Sequence, residues 1–472
     1  MLGNNKNNLA EKHENQEIYA KIYIRSVKKM KVIAIGGVAA SMSAVSKLKR
    51  LKPNTEIIVY EEGEVLSYGA CGLPYYVSDE IKDPSKLVAR TKKQFEERGI
   101  HVHVNHHVDE VLDGEKKIKG TNLKTGESFE DTYDKLIIGT GAHAVLPPWD
   151  GVKLDNIFTL TSYTEGINLK KALEDTSIKE VTIIGAGFIG VEMIEAFHTR
   201  KKNIRVIQLD PQILPIFDPE MLDDIETYIE KEGIALHLSE SVVSFKGEKK
   251  VQQVVTDQGT YDTDLVLVSI GVKPSTKFLK SSNVKLAANG AVVINKQMET
   301  NIKDIYAAGD CSMIHHALFE HARYIPMGDN ANKQGRIIAQ NIAKDPIDFK
   351  GVLGTTVIKI IDKEAGKTGL SEKEAKMLDL DYDTVTITGN NHAGYYPNPE
   401  KIKVKIIYEN TTHKILGAQL VGGKGAALRI NIFAVAIAGN MTTDDLSFLD
   451  LAYAPPFSGV WDITQVAALQ VK

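Results

Sequence analysis

Cysteine is scarce in this sequence, with only Cys71 and Cys311 among 472 residues. Two cysteines cannot make the disulfide framework of a small secreted domain, and a chain of this length can bury a core large enough to need none. The histidines of HVHVNHH (101–107) could suggest a metal, but no cysteine or further ligand completes a motif with them. We therefore expect a protein of the reducing cytoplasm that holds no metal.

The sequence also lacks an excess of charge of one sign and any long apolar run. Lys and Arg number 57 against 61 Asp and Glu, whereas nucleic-acid-binding proteins usually carry a strong basic excess. No apolar stretch reaches the roughly 20 residues of a membrane-spanning helix. Nucleic acids and membranes are therefore not expected as partners. Residues 1–29 are polar and Asn-rich without the apolar segment of a secretory signal, and we expect a disordered extension there.

A first βαβ unit follows this extension. The strand VIAI (32–35) leads into the Gly-rich turn GGVAAS (36–41), a helical segment and a second strand that ends beside Glu61. The turn is an incomplete dinucleotide fingerprint, but a carboxylate at the end of the second strand can bind a ribose diol. The candidate nucleotide-binding residues of this unit are Gly36, Gly37, Val38, Ala39, Ala40, Ser41 and Glu61.

A second βαβ unit contains the complete fingerprint GAGFIG (185–190) between a strand and a helix. Its glycines allow a tight turn, close approach of a pyrophosphate and close helix–strand packing, and the helix N-terminus favours phosphate. The ribose partner is ambiguous between Gln208 and Asp210, and the absence of Lys and Arg from 206–214 favours NADH over NADPH. The candidate residues here are Gly185, Gly187, Phe188, Ile189, Gly190, Asp210 and Gly271.

The two fingerprints predict two Rossmann-like domains instead of one doubly wound sheet. Strand-then-glycine stretches at 133–142 and 261–274 are expected where one domain is inserted into the other, and Thr140, Gly141, Gly309 and Asp310 are further candidates for the first nucleotide. From Gly351 onward, alternating strands and a helix near 426–438 predict a separate α+β domain.

Cys71, in the Gly-flanked turn SYGACGLPYY (67–76), is the candidate reactive thiol. A thiol near a helix N-terminus or a flavin would be more acidic and more nucleophilic, whereas an inert buried cysteine is the alternative. No second cysteine stands at CxxC or CxxxxC spacing, so a reactive Cys71 must pair with an external thiol, persulfide or oxygen. Lys47 and Arg50, one turn apart on the first helix, matter only if the substrate carries phosphates.

Three stretches together carry a resemblance: SYGACGLPYY (67–76), NHAGYYP (391–397) and YAPPFSGVWD (453–462). They are similar to signature stretches of the single-cysteine branch of the FAD-dependent pyridine nucleotide-disulfide oxidoreductases, and within it to the coenzyme A-disulfide reductases. The resemblance implies an α/β protein with an FAD domain (30–150 and 275–345), an inserted NAD(P)H domain (151–274) and an α+β dimerisation domain (346–472). It also implies a homodimer in which each subunit completes the active site of its partner.

The resemblance further implies roles for matching residues. Cys71 would form a mixed disulfide with coenzyme A, and Tyr396 and Tyr453 would be catalytic tyrosines reached from the partner subunit. Phe188 would cover the nicotinamide pocket. The substrate contacts would be Lys47, Arg50, Ser67 and His392, with Trp461 where some relatives carry a basic contact.

The chain departs from the family pattern at two glycine positions. Ser41 replaces the third fingerprint glycine, and GTGA (139–142) stands where ATGA is more common. Two other functions remain open at this point. One is a water-forming NADH oxidase with a Cys71 sulfenate, although such enzymes usually carry a histidine where this chain has Ala39. The other is a flavin-binding redox sensor without turnover.

Overall fold

The structure is a computed structural model that describes residues 29–471. The expected extension at 1–29 therefore lies outside the described residues, except for Lys29. Within 29–471, no helix is long and apolar enough to cross a membrane. The described chain forms the expected α/β architecture of two nucleotide-binding folds and an α+β unit at the C-terminal end.

The first nucleotide-binding fold is a five-stranded parallel sheet whose outermost strand comes from late in the chain. In spatial order the strands are Ile305–Ala307, Lys135–Ile138, Lys31–Ile35, Glu56–Glu61 and Ile100–Val104. The central strand is apolar at nearly every position because both faces of the sheet are covered. The covering elements are helices Ala39–Leu51 and Gly328–Ile342 on one face and strands His106–Leu112, Lys117–Asn122 and Ser128–Thr132 on the other.

The second nucleotide-binding fold is inserted between two strands of the first. Its sheet has the order Ala235–Leu238, Asn203–Gln208, Glu180–Ile184, Leu265–Val268 and Ile157–Phe158, all parallel. Its helices are Tyr163–Ala172, Phe188–Thr199 and Pro219–Lys231, and its antiparallel layer is Val242–Lys246, Gln253–Thr256 and Thr260–Asp262. The strands Ala142–Ala144 and Val272–Pro274 pair where the chain leaves and re-enters the first fold. The predicted nesting is confirmed, while the domain boundary residues stay a prediction.

The C-terminal unit is an antiparallel sheet covered by helices. In spatial order its strands are Thr356–Ile360, Lys363–Gly369, Ile415–Gly422, Lys401–Glu409 and Tyr382–Asn390. Helix Ala426–Ala438 lies against this sheet, as expected. The shorter helices of this unit are Glu372–Met377, Thr443–Ser447 and Ile463–Ala468, and those of the nucleotide-binding folds are Leu73–Val77 and Lys92–Glu96. Short 3-10 turns span Ala70–Gly72, Pro84–Leu87, Asp113–Glu115 and Lys277–Leu279.

Candidate functional site

A cavity of about 1460 Å³ lies between the two nucleotide-binding folds and brings most of the candidate residues together. Cys71 opens into it, and Thr356 and Val357 of the C-terminal sheet close one side. The candidate nucleotide-binding residues that line it are Gly36, Gly37, Val38, Ala39, Ala40, Glu61, Thr140, Gly141, Gly185, Gly187, Phe188, Ile189, Asp210, Gly271, Gly309 and Asp310. Two fingerprints and one thiol therefore share a single space.

The first fingerprint forms a tight backbone cradle. Gly36 has a φ of +93°, and a Cβ there would lie 2.3 Å from the carbonyl oxygen of Gly139. One carboxylate oxygen of Glu61 accepts the N–H of Gly37 at 2.5 Å, and the other accepts the N–H of Gly63 at 2.7 Å. Burial raises the pKa of Glu61 despite these two donors. The carboxylate is thereby fixed at the cavity wall, where a ribose diol can reach it.

Ser41, where a third glycine was expected, does not line the cavity. It is buried, and its hydroxyl donates to the carbonyl oxygen of Ile35 at 3.3 Å. A Cβ on Gly139 would lie 2.3 Å from this hydroxyl oxygen. The two departures from the family pattern therefore compensate each other. The absence of a side chain at Gly139 leaves room for the hydroxyl group of Ser41.

Asp310 is a half-buried carboxylate at the opposite wall of the cavity. Burial raises its pKa to about 6, and among the described residues its side chain has no hydrogen-bond donor or cation partner. The neighbouring N–H of Gly309 donates to Gln334 at 2.8 Å, which fixes the strand end. A carboxylate of this kind suits a ligand that supplies hydroxyl groups. The cradle, Glu61 and Asp310 together fit a dinucleotide such as FAD.

Gln208 and Asp210, the two candidate ribose partners of the second fingerprint, have different hydrogen-bond partners. The side-chain oxygen of Gln208 accepts the N–H of Ala186 at 2.9 Å, and its amide donates to Asp210 at 3.0 Å. Both polar groups of the Gln208 side chain are therefore bonded within the protein. Asp210 is the carboxylate that follows this strand and lines the cavity. Gly190 lies inside the fold because a Cβ there would approach the carbonyl oxygen of Gly185 to 2.0 Å. Among residues 29–471, no lysine or arginine lines the cavity.

Cys71 lies in the 3-10 turn Ala70–Gly72 and is exposed toward the cavity. Burial raises the pKa of its thiol, and the charges of Glu192 and Asp310 raise it further. This is opposite to the expected acidic thiol. The N-terminus of helix Gly328–Ile342 lies close to the sulfur, since a Cβ on Gly328 would be 3.7 Å from it. The positive end of the helix dipole favours the thiolate and so acts against this rise in pKa.

Glu192 is a cavity residue that the sequence reading missed. It lies on helix Phe188–Thr199, and among the described residues no cation or hydrogen-bond donor pairs with its carboxyl. Burial, with the charge of Glu195, raises the pKa of Glu192 to about 7. From the sequence alone it resembled any glutamate of a helix, since nothing local places it beside Cys71.

A cationic face leads away from Cys71 along two adjoining helices. Ser43 donates to the side chain of Asn332 at 2.5 Å, and one turn further Lys47 bonds to Gln340. Burial, then Arg336 and Arg50, lowers the pKa of Lys47. None of these three cations has an ion-pair partner within the described part of the chain. We call Lys47, Arg50 and Arg336 the cationic face; Arg336 was missed because it lies almost 300 residues beyond the other two.

The remaining candidate residues lie apart from the cavity. Ser67 has a φ of +52° and anchors the cysteine turn, because its N–H donates to the carbonyl oxygen of Gly37 at 2.8 Å. His392 and Tyr396 form an edge-on ring contact on the C-terminal unit. The phenol of Tyr453 bonds to Tyr395, another residue that the sequence reading missed. His392, Tyr395, Tyr396 and Tyr453 all belong to the C-terminal unit. None of them lines the cavity of its own chain.

The C-terminal unit presents a broad apolar surface. Its large exposed side chains include Tyr395, Leu428, Val435, Phe448, Phe457, Val460 and Trp461. Exposed large apolar side chains in this number on one unit are typical of a protein–protein contact.

One group of carboxylates could suggest a metal site. Asp218, Glu220 and Glu372 converge within metal-ligand distance of one another. The ammonium group of the buried Lys405 bonds to all three carboxylates. A cation of the protein itself therefore occupies the position that a metal would take.

Comparison with known proteins agrees with this geometry. A family model described as pyridine nucleotide-disulphide oxidoreductase matches residues 30–335, and the dimerisation domain of the same family matches residues 355–463. A Pyrococcus furiosus protein named NAD(P)H sulfur oxidoreductase (CoA-dependent) is 37% identical and covers 94% of this chain and 100% of its own. A Staphylococcus aureus protein named coenzyme A disulfide reductase is 30% identical, with coverages of 94% and 100%.

Two solved structures show the same overall arrangement. Reduced Bacillus anthracis CoADR-RHD superposes with a TM-score of 0.91 at 32% identity, covering 94% of this chain and 80% of that chain. The NADH-bound, water-forming NADH oxidase of Lactobacillus brevis gives a TM-score of 0.89 at 28% identity, with coverages of 93% and 98%. Both family models and the relatives extend across nearly the whole described chain. The chain therefore belongs to the pyridine nucleotide-disulphide oxidoreductase family and is an NAD(P)H-dependent flavoprotein oxidoreductase.

Proposed function

We propose that this protein reduces coenzyme A disulfide, or a related coenzyme A-linked polysulfide, with electrons from NADH. The observation that carries the proposal is the unpaired cationic face, which lies along the helix that starts beside Cys71. Gly328, which approaches the sulfur, and Asn332, Arg336 and Gln340 follow one another at four-residue spacing on one helix face. Eight residues of helix span about 12 Å, so a disulfide at Cys71 can extend its phosphate-bearing end toward Lys47 and Arg336.

The two fingerprints supply the route for the electrons. Gly36, Gly37, Glu61 and Asp310 would hold FAD, whose isoalloxazine accepts a hydride from NADH and returns two electrons to a disulfide. Asp210 would bind the ribose hydroxyls of NADH, and a 2′-phosphate would meet a carboxylate and no cation there. This arrangement favours NADH over NADPH.

Cys71 would carry the disulfide chemistry. Its thiolate attacks one sulfur of coenzyme A disulfide, forms Cys71–S–S–CoA and expels the other half as a thiolate that takes a proton. Two electrons then break the mixed disulfide and release the second coenzyme A. Overall, NADH, one proton and the disulfide give NAD⁺ and two thiols. The helix that starts at Gly328 favours the attacking thiolate.

The proton donor would come from a second copy of the chain. Tyr396, Tyr453 and His392 do not line the cavity of their own chain, and they stand on the exposed apolar surface of the C-terminal unit. A homodimer that buries this surface would bring these side chains to the cysteine of the other subunit. Its compartment would be the reducing cytoplasm, which keeps Cys71 and Cys311 free.

The competing function is a water-forming NADH oxidase, which the similarity to the Lactobacillus brevis enzyme favours. Steady-state NADH consumption with coenzyme A disulfide, with cystine and with oxygen alone separates the two. We expect a clear preference for coenzyme A disulfide, because only it carries phosphates for the cationic face. Equal rates in all three conditions would refute the proposal, and slow consumption in all three would favour a redox sensor.

A second experiment identifies the cysteine that reacts with the disulfide. Intact mass of the protein purified without reductant should show one coenzyme A adduct per chain at Cys71, which dithiothreitol removes. Cys71→Ser should retain flavin and its reduction by NADH but lose disulfide turnover, since the cysteine handles only the outgoing electrons. Cys311→Ser is the matched control, because Cys311 is buried and bonded to backbone carbonyls. Normal disulfide turnover by Cys71→Ser would contradict the mechanism.

A further inference from the structure

The segment that carries Cys71 belongs by packing to the second nucleotide-binding fold. Helix Leu73–Val77, which directly follows the cysteine turn, contributes Tyr76 to the buried core of that fold. Its contact is close, since a Cβ on Gly166 would lie 2.6 Å from the side chain of Leu73. The cysteine turn is thus anchored at one end to the first fold, through Ser67, and at the other end to the second.

Asp79 terminates this segment and binds two cations. One carboxylate oxygen lies 2.7 Å from the ammonium nitrogen of Lys170, and the other lies 2.7 Å from a guanidinium nitrogen of Arg200. Arg200 also donates to the carbonyl oxygen of Val77, the last residue of the helix. Lys170 is only 8% exposed and lies 3.9 Å from the ring centre of Tyr76.

The two cations stand on the helices that line the cavity. Lys170 belongs to helix Tyr163–Ala172, whose first residues face the cavity. Arg200 directly follows helix Phe188–Thr199, whose N-terminal end is the second fingerprint. The carboxylate of Asp79 therefore ties the cysteine segment to the far ends of both helices.

We propose that Asp79, Lys170 and Arg200 form a clamp that positions Cys71 for the disulfide step. Asp79 is a positioning residue: it touches no reacting atom, but it fixes the helix that starts two residues after the cysteine. The inference rests on the proposed role of Cys71. The Asp79 side chain is 50% exposed, but those of Lys170 and Arg200 are only 11% and 13% exposed. An exposed ion pair contributes little, whereas loss of this carboxylate would leave two largely buried cations without their partner.

Asp79→Asn tests the clamp. Asparagine tolerates the φ of +74° at this position and keeps the shape of aspartate, so only the charge is lost. We expect disulfide turnover to fall about tenfold or more, since displacement of a reacting group by 1 Å can cost about 100-fold. Reduction of the flavin by NADH, measured in stopped flow, should remain within about twofold of wild type. Asp379→Asn is the matched control, with a φ of +53° and no ion pair within the described residues.

Conservative and disruptive variants of Lys170 distinguish an effect on the position of Cys71 from a loss of folding stability. Lys170→Arg should retain turnover because it keeps the charge, whereas Lys170→Met should behave as Asp79→Asn. Unchanged disulfide turnover in Asp79→Asn would overturn the clamp, and so would an equal loss of both half-reactions together with a lowered melting temperature.

The alkylation rate of Cys71 by iodoacetamide provides a readout that needs no coenzyme A. It should change at least threefold in Asp79→Asn and not in Asp379→Asn. If wild type fails to turn over coenzyme A disulfide, the proposed function fails; an unchanged alkylation rate then overturns the clamp as well, and a changed rate supports it.

Discussion

The phenol oxygens of Tyr395 and Tyr453 lie 3.1 Å apart, although 58 residues separate the two tyrosines in the chain. This hydrogen bond raises the pKa of Tyr453 above that of an ordinary phenol, which is itself protonated at neutral pH. Pro455 and Pro456 follow closely and restrict the backbone after the phenol. The structure therefore pairs Tyr453 with Tyr395, whereas Tyr396, the other tyrosine singled out from the sequence, contacts His392.

Tyr453→Phe should lower coenzyme A disulfide turnover by about 100-fold, the usual scale for a lost general acid. The variant keeps the ring and its packing, so flavin reduction by NADH and the dimeric state should be unchanged. Steady-state rates and size-exclusion chromatography provide the measurements.

Two neighbouring tyrosines serve as controls for this variant. Tyr395→Phe should have a smaller effect than Tyr453→Phe, because it removes only the group that orients the phenol. Tyr396→Phe tests the second tyrosine that the resemblance assigned to catalysis. Wild-type turnover in Tyr453→Phe would reduce Tyr453 to a packing role and leave Tyr396 or water as the proton source.

Glu192 provides a prediction about pH. Its carboxyl has a pKa of about 7 in the folded protein against a usual 4.5, so between these values the folded state binds more protons than the unfolded state. Stability must therefore fall as pH rises through this window. Glu192→Gln should raise the melting temperature at pH 8 and leave it unchanged at pH 4, measured without pyridine nucleotide. An equal shift at both pH values would mean that ionisation of Glu192 has no part in it.

The local features of the fold could be predicted from the sequence, because they depend on neighbouring residues. The strand–turn–helix pattern of both fingerprints and the helix at Ala426–Ala438 agree with the structure. Strand Lys363–Gly369 is not apparent from the sequence, because its buried positions are glycines, an alanine, a threonine and Lys367, whose ammonium group bonds to Glu374 at 3.0 Å. Its side chains give no alternation of apolar and polar residues.

Contacts between residues that are far apart in the sequence could not be predicted. No local pattern indicates that Arg336 joins Lys47 or that Asp79 binds Lys170. The first pair depends on the packing of two helices within the first fold, and the second depends on how the two folds pack. The same holds for the compensation between Ser41 and Gly139. Both departures were visible in the sequence, but their link appears only when the strands are placed side by side.

The pair Ser41 and Gly139 allows a double-mutant test. Gly139→Ala should destabilise the protein, because the new methyl group would overlap the buried hydroxyl of Ser41. The combined variant Gly139→Ala with Ser41→Gly should recover most of the lost stability, measured as the melting temperature of the flavin-loaded protein. Losses that simply add would show that the two positions are independent.

Lys405 joins the second nucleotide-binding fold to the C-terminal sheet. Its side chain is 1% exposed, and its ammonium nitrogen lies 2.9 Å from Asp218 and 2.6 Å from Glu372. Asp218 also accepts from the amide of Gln419 at 2.6 Å, so two side chains of the C-terminal sheet bind this carboxylate of the second fold. Removing one partner of a buried ion pair leaves uncompensated charge, which usually costs about 3–5 kcal/mol.

Lys405→Met should therefore destabilise the protein by about 3–5 kcal/mol in chemical unfolding followed by circular dichroism. Lys403→Met is the matched control on the same strand. Lys403 pairs with the exposed Asp224 at 2.7 Å and donates to the backbone carbonyl of Glu220 at 2.9 Å, so its removal leaves no buried charge unpaired. Its loss should cost no more than about 1 kcal/mol, as expected for a surface ion pair. Equal effects of the two substitutions would contradict the assignment of Lys405 as the charge that holds the two units together. A loss confined to Lys405→Met, with flavin reduction by NADH retained in the folded variant, would show that this contact stabilises the assembly of the folds and takes no part in the chemistry.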